Sequence, residues 1–470
     1  MFSFLRKKGV VIRHRPDHCI SRKLLSREAL KVLYRLSDSG YKAYLVGGGV
    51  RDILLGRRPK DFDVATDANP KEIKRLFSRS FIIGRRFKLV HVVFGDTVIE
   101  TATFRKQPPP GDDIPDGNLY QSDDNTFGTP EEDAQRRDFT VNGLFYDIKT
   151  FDVIDYVGGL RDLDRRVLRS IGDPNVRFRE DPVRMMRAIR LACKLGLKIE
   201  SGTRRAISRH YREIEKASAP RILEELFRMF PYSAAEQSFR LLWETRLLSL
   251  LMPHLNNFID GNGGKRCKVW ECLAGFDKFV ANTGEEPSNG LRVAAIYLAP
   301  FLAELEKAGG AANRGARIEI AERAIRTMNE KYCLPKAALL HAAHILASLR
   351  DFENPPARGR VVRDRNGQFS DALALARIAS QVFGKIPEKS LNAWSHVKSQ
   401  RPERDNRGKG ESPAETATSS DPAQAQGGQQ PNGQEGDASA DGPRRRRRRS
   451  RGGRRHHRPR ITPASPRADL

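Results

Sequence analysis

The sequence predicts an α+β protein: an α/β head with a mixed sheet, then a multi-helix body, then a basic tail without fixed structure. Three observations carry this expectation. Up to about residue 155, short apolar runs of period two alternate with helical runs. From about 175 to 395 the helical period dominates, punctuated by Pro and Gly. After residue 400 the chain turns to Pro, Gly, Ser, Gln and Ala, and then to arginine. The expected divisions are a basic extension (1–25), the head (26–155), a helical neck (156–235), a helical body (236–400) and the tail (401–470).

Within the head, residues 26–39 predict a helix: Ser26 suits the N-cap, Leu30, Leu33 and Leu36 recur at helical spacing, and Gly40 follows. "YKAYLV" (41–46) predicts a strand that runs into the glycine turn Gly47-Gly48-Gly49. "DFDVAT" predicts a second strand, with Asp61 and Asp63 on one face because strand side chains alternate. A helix from Pro70 to Phe77 and two strands at 88–95 and 97–104, joined by a Gly-Asp turn, complete this part. Residues 106–128, rich in Pro, Gly and Asp, predict a long loop. A helix is expected through "EEDAQRRDFTVNGLFYD" (131–147), then a short strand in "FDVIDYVGG", then helices from "EDPVRMMRAIRLACKLGL" onward.

The chain of 470 residues carries a net charge of +26. Residues 443–470 contribute +11 through twelve arginines and one aspartate, 401–442 contribute −4, and the remaining +19 lies on 1–400. A basic body with a basic tail points to a polyanion, foremost nucleic acid, since charge for solubility alone does not call for so one-signed a surplus. The run "PRRRRRRSRGGRRHHRPR" repels itself, lacks apolar residues and is expected to bind phosphates in a salt-dependent way. It is also a candidate dock for proteins of the RNA-degradation machinery. Five scattered cysteines without a CxxC pair read as reduced thiols in buried positions; Cys267 and Cys272 with His254 lack the second pair a zinc site needs. No apolar run nears eighteen residues, and the N-terminus lacks a secretory cleavage pattern. The expectation is a cytoplasmic protein without a membrane span.

Two like charges two positions apart on a strand repel unless a cation lies between them. Mg²⁺ takes oxygen ligands and one or two carboxylates plus substrate phosphates, so Asp61 and Asp63 are candidate ligands of a two-metal site. Glu100, on a neighbouring predicted strand, is placed to be the third. Taken alone a DxD pair serves equally on a solvated turn. The glycine turn shifts the balance: Gly47 and Gly48 let backbone approach a phosphate, and Arg51 follows with a guanidinium that can hold phosphate or ribose. "RRDFTVN" adds Arg137, Asn142 and Asp138, the last either a further catalytic acid or a partner orienting Arg51 or Arg137. In "REDPVRMMRAIR", Asp181, Arg184 and Arg187 fall at helical spacing and can share one face. An Asp and an Arg together can read a base edge, and an ordinary ion-pair stripe uses the same spacing. Trp394 and Lys398 are a candidate RNA grip, with a core role for Trp394 the simpler alternative.

Together, "LVGGGVRDILLG", "KDFDVATDANP", "EEDAQRRDFTVNGLFYD", "DYVGGLRDLDRRVLRSIGDP" and "RFREDPVRMMRAIRLACKLGL" resemble the nucleotidyltransferase superfamily, specifically the family of bacterial poly(A) polymerases and CCA-adding tRNA nucleotidyltransferases. The resemblance covers 41–197 in order and is loose from 200 to 400. "IIGRRFKLVHVVFG" (82–95), with Phe87 and His91, and the arginine-rich tail resemble the polymerase branch. The resemblance implies a DNA polymerase beta-like catalytic head, a nucleotide-selecting neck and RNA-holding helices. It implies Mg²⁺ on Asp61 and Asp63, and Asp181 and Arg184 facing the incoming base. It favours Asp138 as the third acid, where strand geometry favours Glu100. The function it implies is template-independent addition of AMP from ATP to RNA 3′ ends, with pyrophosphate released, in RNA polyadenylation and turnover. CCA addition to tRNA and a non-catalytic RNA-binding adaptor are the alternatives.

Overall fold

The structure, a computed structural model, describes residues 9–84, 88–106, 127–310, 313–332, 334–357, 359–364 and 367–400. All of them lie in one compact unit that ends at Arg404. Phe87, most of the expected 106–128 loop, Cys333, the Lys398 side chain and the 401–470 tail lie outside the described residues.

The head is built on eight strands: β1 (Val11–Arg13), β2 (Ala43–Val46), β3 (Asp63–Thr66), β4 (Ser80–Ile83), β5 (Leu89–Phe94), β6 (Thr97–Thr103), β7 (Leu144–Asp147) and β8 (Val153–Asp155). Their order is β1-β8-β7-β2-β3-β6-β5-β4. Only β3 and β6 run parallel, Val64 beside Thr101; the other neighbours are antiparallel, so the sheet is mixed as expected. The edge strands β1 and β4 were not expected from the sequence, being short and without period-two patterning.

The sheet has two unlike faces. On β6, Ile99, Thr101 and Thr103 are buried while Val98 and Glu100 are exposed. Helix α1 (Arg27–Asp38) packs on the buried face, α2 (Gly48–Leu54) packs on β2 and β7, and α3 (Pro70–Leu76) packs on β4 and β5. Ser26 Oγ accepts from Ala29 N–H at 3.0 Å, and Ala29, Val32, Leu33 and Leu36 are buried. Each such leucine contributes roughly 2 kcal/mol of burial. Asn69 and Glu72 form a capping box at the start of α3, with Pro70 at its first position. The opposite face is roofed over β2, β3 and β7 by a small cluster: Val46, Ala65, Phe104, Ala134, Phe145, Val157 and Ile171. Over β6, β5 and β4 no such cluster covers it among the described residues.

Two expected helices are broken, each for a local reason. In 131–147 only α4 (Pro130–Arg136) is helical; Arg137 turns extended (ψ 170°), Asp138 takes the Phe139 N–H, and a 3₁₀ turn at Thr140–Asn142 leads into β7. Asp competes for backbone N–H groups, and Phe-Thr-Val lose rotamer freedom in a helix. After α5 (Gly159–Asp164), "RFREDPVRMMR" splits into α6 (Pro174–Glu180) and α7 (Val183–Leu195). Pro182 lacks an N–H and disfavours helical geometry at Asp181. A third correction concerns the strand of the aspartate pair. It begins at Asp63, so Asp61 lies in the turn before it.

The body holds α8 (Ser201–His210), α9 (Ala219–Phe227), α10 (Ala235–Glu244), α11 (Leu247–Leu251), α12 (Pro253–Gly261), α13 (Lys268–Thr283), α14 (Asn289–Lys307), α15 (Arg314–Tyr332), α16 (Lys336–Ala347), α17 (Gln368–Phe383) and α18 (Glu388–Ser395). Two parallel pairs interrupt this helical run: β9 (Val167–Leu168) with β10 (Lys198–Ile199), and β11 (Val361–Arg363) with β12 (Lys398–Gln400). The main core is continuous from the α1 face of the sheet through α7 into the body. Trp394 belongs to it, its Nε1 donating to Asn354 O at 2.8 Å, so it is a core residue. Cys193, Cys267 and Cys272 are buried free thiols, and Cys19 is exposed, against expectation. No helix among the described residues is long and apolar enough to cross a membrane.

Candidate active site

Strand β2 delivers the chain to Gly47, whose φ of +68° and ψ of −130° a side chain would strain. A Cβ there would stand 3.1 Å from Arg137 Nη1 and 4.0 Å from Asp63 Oδ2. The glycine turn, Arg137 and Asp63 therefore share one corner. Helix α2 opens at Gly48, and a Cβ on that residue would meet Arg51 Nη2 at 3.5 Å. Arg51 is buried and its fork is committed: Nε and Nη2 donate to Asp52 Oδ1 at 2.8 and 2.6 Å, and Nη1 donates to Asn142 Oδ1. It backs the turn with positive charge instead of standing free for a ligand. Arg137 is held from behind by Asp133, Nη2 to Oδ2 at 2.9 Å, and its guanidinium lies over Phe145.

Asp63, the first residue of β3, lies one step along the register from the Val64–Thr101 pair, which sets it beside Glu100 of β6. Burial first, then the Glu100 carboxylate, then Asp61 push the Asp63 pKa up to about 6, against the pull of Arg137. Three carboxylates thus gather at the edge of the glycine turn. Among the described residues no three His, Cys, Asp or Glu side chains already close around one point as ligands. The donor set nevertheless fits a hard divalent cation: it is all oxygen, it concentrates negative charge, and the Glu100 side chain, 57% exposed, has room to turn.

Asp138 stands in a different network. Its Oδ1 accepts from Phe139 N–H at 2.8 Å and Asn142 Nδ2 at 2.9 Å, and its Oδ2 faces Arg187 Nη1 at 3.5 Å. Burial works to raise its pKa, but Arg187, Asn142 and the Phe139 N–H outweigh it and leave it lowered. The chain Arg51–Asn142–Asp138–Arg187 therefore ties the glycine turn to α7. Asp181 and Arg184 do not share a face of one helix. Asp181 caps α6, accepting from Val183 N–H and from Arg221 Nη2 at 2.8 Å. Arg184 donates to Glu180 Oε2 at 3.1 Å and Arg177 O at 3.2 Å. Arg187 also faces Glu225 Oε1 at 3.5 Å.

The residues that the sequence reasoning missed are the supports. Asp52 and Asp133 hold Arg51 and Arg137. Arg177, buried on α6, donates to both Arg136 O and Arg137 O, and so fixes the extended segment that carries Arg137 and Asp138. The i,i+4 spacing of Asp133 and Arg137 is a legible sign of the second support; the partners of Arg177 lie some forty residues away and leave no local sign. Asp155 is a fourth, its carboxylate taking the N–H groups of Val157, Gly158, Gly159 and Leu160 at 2.8–3.0 Å to start α5.

The stretches that build this corner have counterparts in known proteins. Residues 43–169 match the poly A polymerase head domain, and residues 196–259 match a domain described as the probable RNA and SrmB-binding site of polymerase A. Poly(A) polymerase I of Escherichia coli O6:H1 is 41% identical over 311 residues, 63% of this chain and 65% of that one. Over these stretches the chain is similar to members of the tRNA nucleotidyltransferase/poly(A) polymerase family. Other members of that family are also similar. The CCA-adding enzyme of Lactobacillus helveticus is 38% identical over 222 residues, 47% of this chain and 54% of that one. The crystal structure of the Bacillus stearothermophilus CCA-adding enzyme in complex with CTP superposes with a TM-score of 0.58 at 28% identity, covering 78% of this chain and 81% of that one. The matches span about 65% of the length of the poly(A) polymerases compared. Both kinds of relative are nucleotidyltransferases, and the superposition on the CCA-adding enzyme takes in most of this chain.

Proposed function

We propose that this chain is a template-independent poly(A) polymerase that joins AMP from ATP to RNA 3′ ends and releases pyrophosphate. The carrying observation is the juxtaposition of Asp63 and Glu100 on parallel neighbouring strands, with Asp61 beside them, at the corner where the Gly47–Gly48 turn is backed by Arg51 and Arg137. A triphosphate on the turn needs close backbone approach, and both glycines provide it. Arg137 and Arg51 oppose its charge, and the Arg51–Asn142–Asp138–Arg187 chain keeps them in place. Asp61, Asp63 and Glu100 would hold Mg²⁺, which supplies an activated 3′-hydroxyl and a neutralised leaving group. The hydroxyl oxygen bonds the α-phosphorus, the bond to pyrophosphate breaks, and the hydroxyl proton leaves to solvent. In this reading Glu100 is the third acid, and Asp138 positions Asn142 and Arg187. Asp181 and Arg184, at the α6–α7 break, are the candidates for selecting adenine. RNA is held by the basic body and by the arginine-rich segment, which also suits a protein partner in RNA turnover.

Higher identity over a longer stretch supports the polymerase branch. The superposition on a CTP-bound CCA-adding enzyme supports the second reading, CCA addition. The direct test of the site is Asp61→Ala: it abolishes AMP incorporation while binding of an oligoribonucleotide persists. Incorporation retained by this variant would refute the assignment, and a wild-type chain without Mg²⁺-dependent pyrophosphate release would revive the adaptor reading.

A further inference from the structure

Strand register sets four side chains in one row across the open face of the sheet. Asp63 stands beside Glu100, Glu100 opposite His91 on β5, and His91 opposite Phe81 on β4. Neighbouring strands lie about 4.8 Å apart, so the row extends on the order of 14 Å from the first carboxylate to the ring. His91 Nε2 is 3.7 Å from Glu100 Oε1. Beyond it the surface is apolar and, among the described residues, uncovered: Phe81 is 59% exposed, Ile83 43% and Val98 45%. Soluble proteins seldom leave such side chains grouped at a sheet edge without a partner.

The position of this patch says which partner. The glycine turn follows β2, which borders β3 on the side away from β6. In-line displacement at phosphorus places the attacking oxygen and the leaving oxygen on opposite sides. With the triphosphate at Gly47–Gly48, pyrophosphate departs on the β2 side and the hydroxyl must arrive from the side of β5 and β4. We propose that this row is the acceptor-strand site: the 3′-terminal nucleotide of the RNA lies over β5 and β4, its base stacked on Phe81 and its ribose against His91. Stacking on an aromatic ring accepts any base, which suits an acceptor of varied sequence. The imidazole, held beside Glu100, meets the 2′-hydroxyl that separates RNA from DNA. The inference rests on the nucleotidyl-transfer reading above and names how its second substrate is seated; His91 and Phe81 are positioning residues in it.

The test uses the full chain, with AMP incorporation measured against both ATP and an oligoribonucleotide, and with equilibrium binding of the same oligonucleotide. Phe81→Ala raises the oligonucleotide KM about tenfold, the loss of one stacked base, and leaves the ATP KM unchanged; Phe81→Trp restores it. His91→Ala narrows the preference for a ribose over a 2′-deoxyribose terminus about fivefold, a merely structural change having no reason to do so. Unchanged oligonucleotide affinity in Phe81→Ala, or an equal rise in both KM values, overturns the site. Failure of the reaction itself is separate: it shows as no incorporation by the wild-type chain, and the binding measurement still decides the Phe81 question.

Discussion

Asp63 and Glu100 come from strands 37 positions apart in the chain and meet because β3 and β6 are parallel neighbours. That meeting separates the two candidate third acids by what surrounds them. Glu100 shares its field with Asp63, whereas Asp138 is saturated by Asn142, the Phe139 N–H and Arg187. The two variants should therefore fail differently. Glu100→Gln lowers turnover about a hundredfold or more, the scale of losing one group that organises transition-state charge, and raises the Mg²⁺ concentration for half-maximal rate. Asp138→Asn leaves the Mg²⁺ requirement near wild type and raises the ATP KM, because Asn142 and Arg187 lose their anchor. Steady-state kinetics under Mg²⁺ titration read both. The pair Asp61 and Asp63 was legible in the sequence because the residues adjoin each other and follow a glycine turn. Arg51 was legible as a positive group at that turn but not as a committed one, since Asn142 lies 91 residues away.

At the scale of elements, the strands with period-two patterning and the capped helices α1 and α3 could be read directly. The broken helices could not be read from periodicity alone. Apolar spacing runs straight through "REDPVRMMR" and "RRDFTVN", yet Pro182 and the Asp138 side chain each withdraw the backbone from helical geometry. These breaks shape the candidate site. The first places Asp181 and Arg184 at a helix junction, and the second makes Arg137 and Asp138 part of an extended segment that Arg177 grips. The helices are then clamped from the far side. Glu225 of α9 is buried and accepts from Arg190 Nε of α7 at 2.6 Å, with Arg187 at 3.5 Å. Glu225→Leu leaves the buried Arg190 guanidinium without its partner and should lower unfolding stability by about 3–5 kcal/mol. The midpoint of a denaturant titration measures it; an unchanged midpoint would show that the clamp contributes nothing.

Across the whole molecule, one continuous core carries the open carboxylate face of the head on a helical body, and the sequence foretold that division through its change of period. What it concealed was the orientation of the open face, because Glu100, His91 and Phe81 lie on three strands whose alignment only the sheet reveals. The body also contains a pH-sensitive joint. Asp277 of α13 accepts the Ala235 and Glu236 N–H groups that open α10, both at 2.9 Å, yet burial pushes its pKa up to about 6. The unfolded chain releases this proton near pH 4 and the folded chain holds it to about pH 6. Its stabilising contribution is thus complete below pH 4 and declines as pH rises to 6, by up to about 3 kcal/mol. Asp277→Asn should flatten that part of the stability profile, followed by thermal unfolding across the same window.

The most direct measurement supplies each of the four nucleoside triphosphates in turn, with Mg²⁺, to the purified chain and either an unstructured oligoribonucleotide or a tRNA lacking its CCA end. The proposed site and branch predict that ATP alone lengthens the unstructured RNA, with one pyrophosphate released per residue added. Incorporation of CTP, confined to the tRNA, would contradict them.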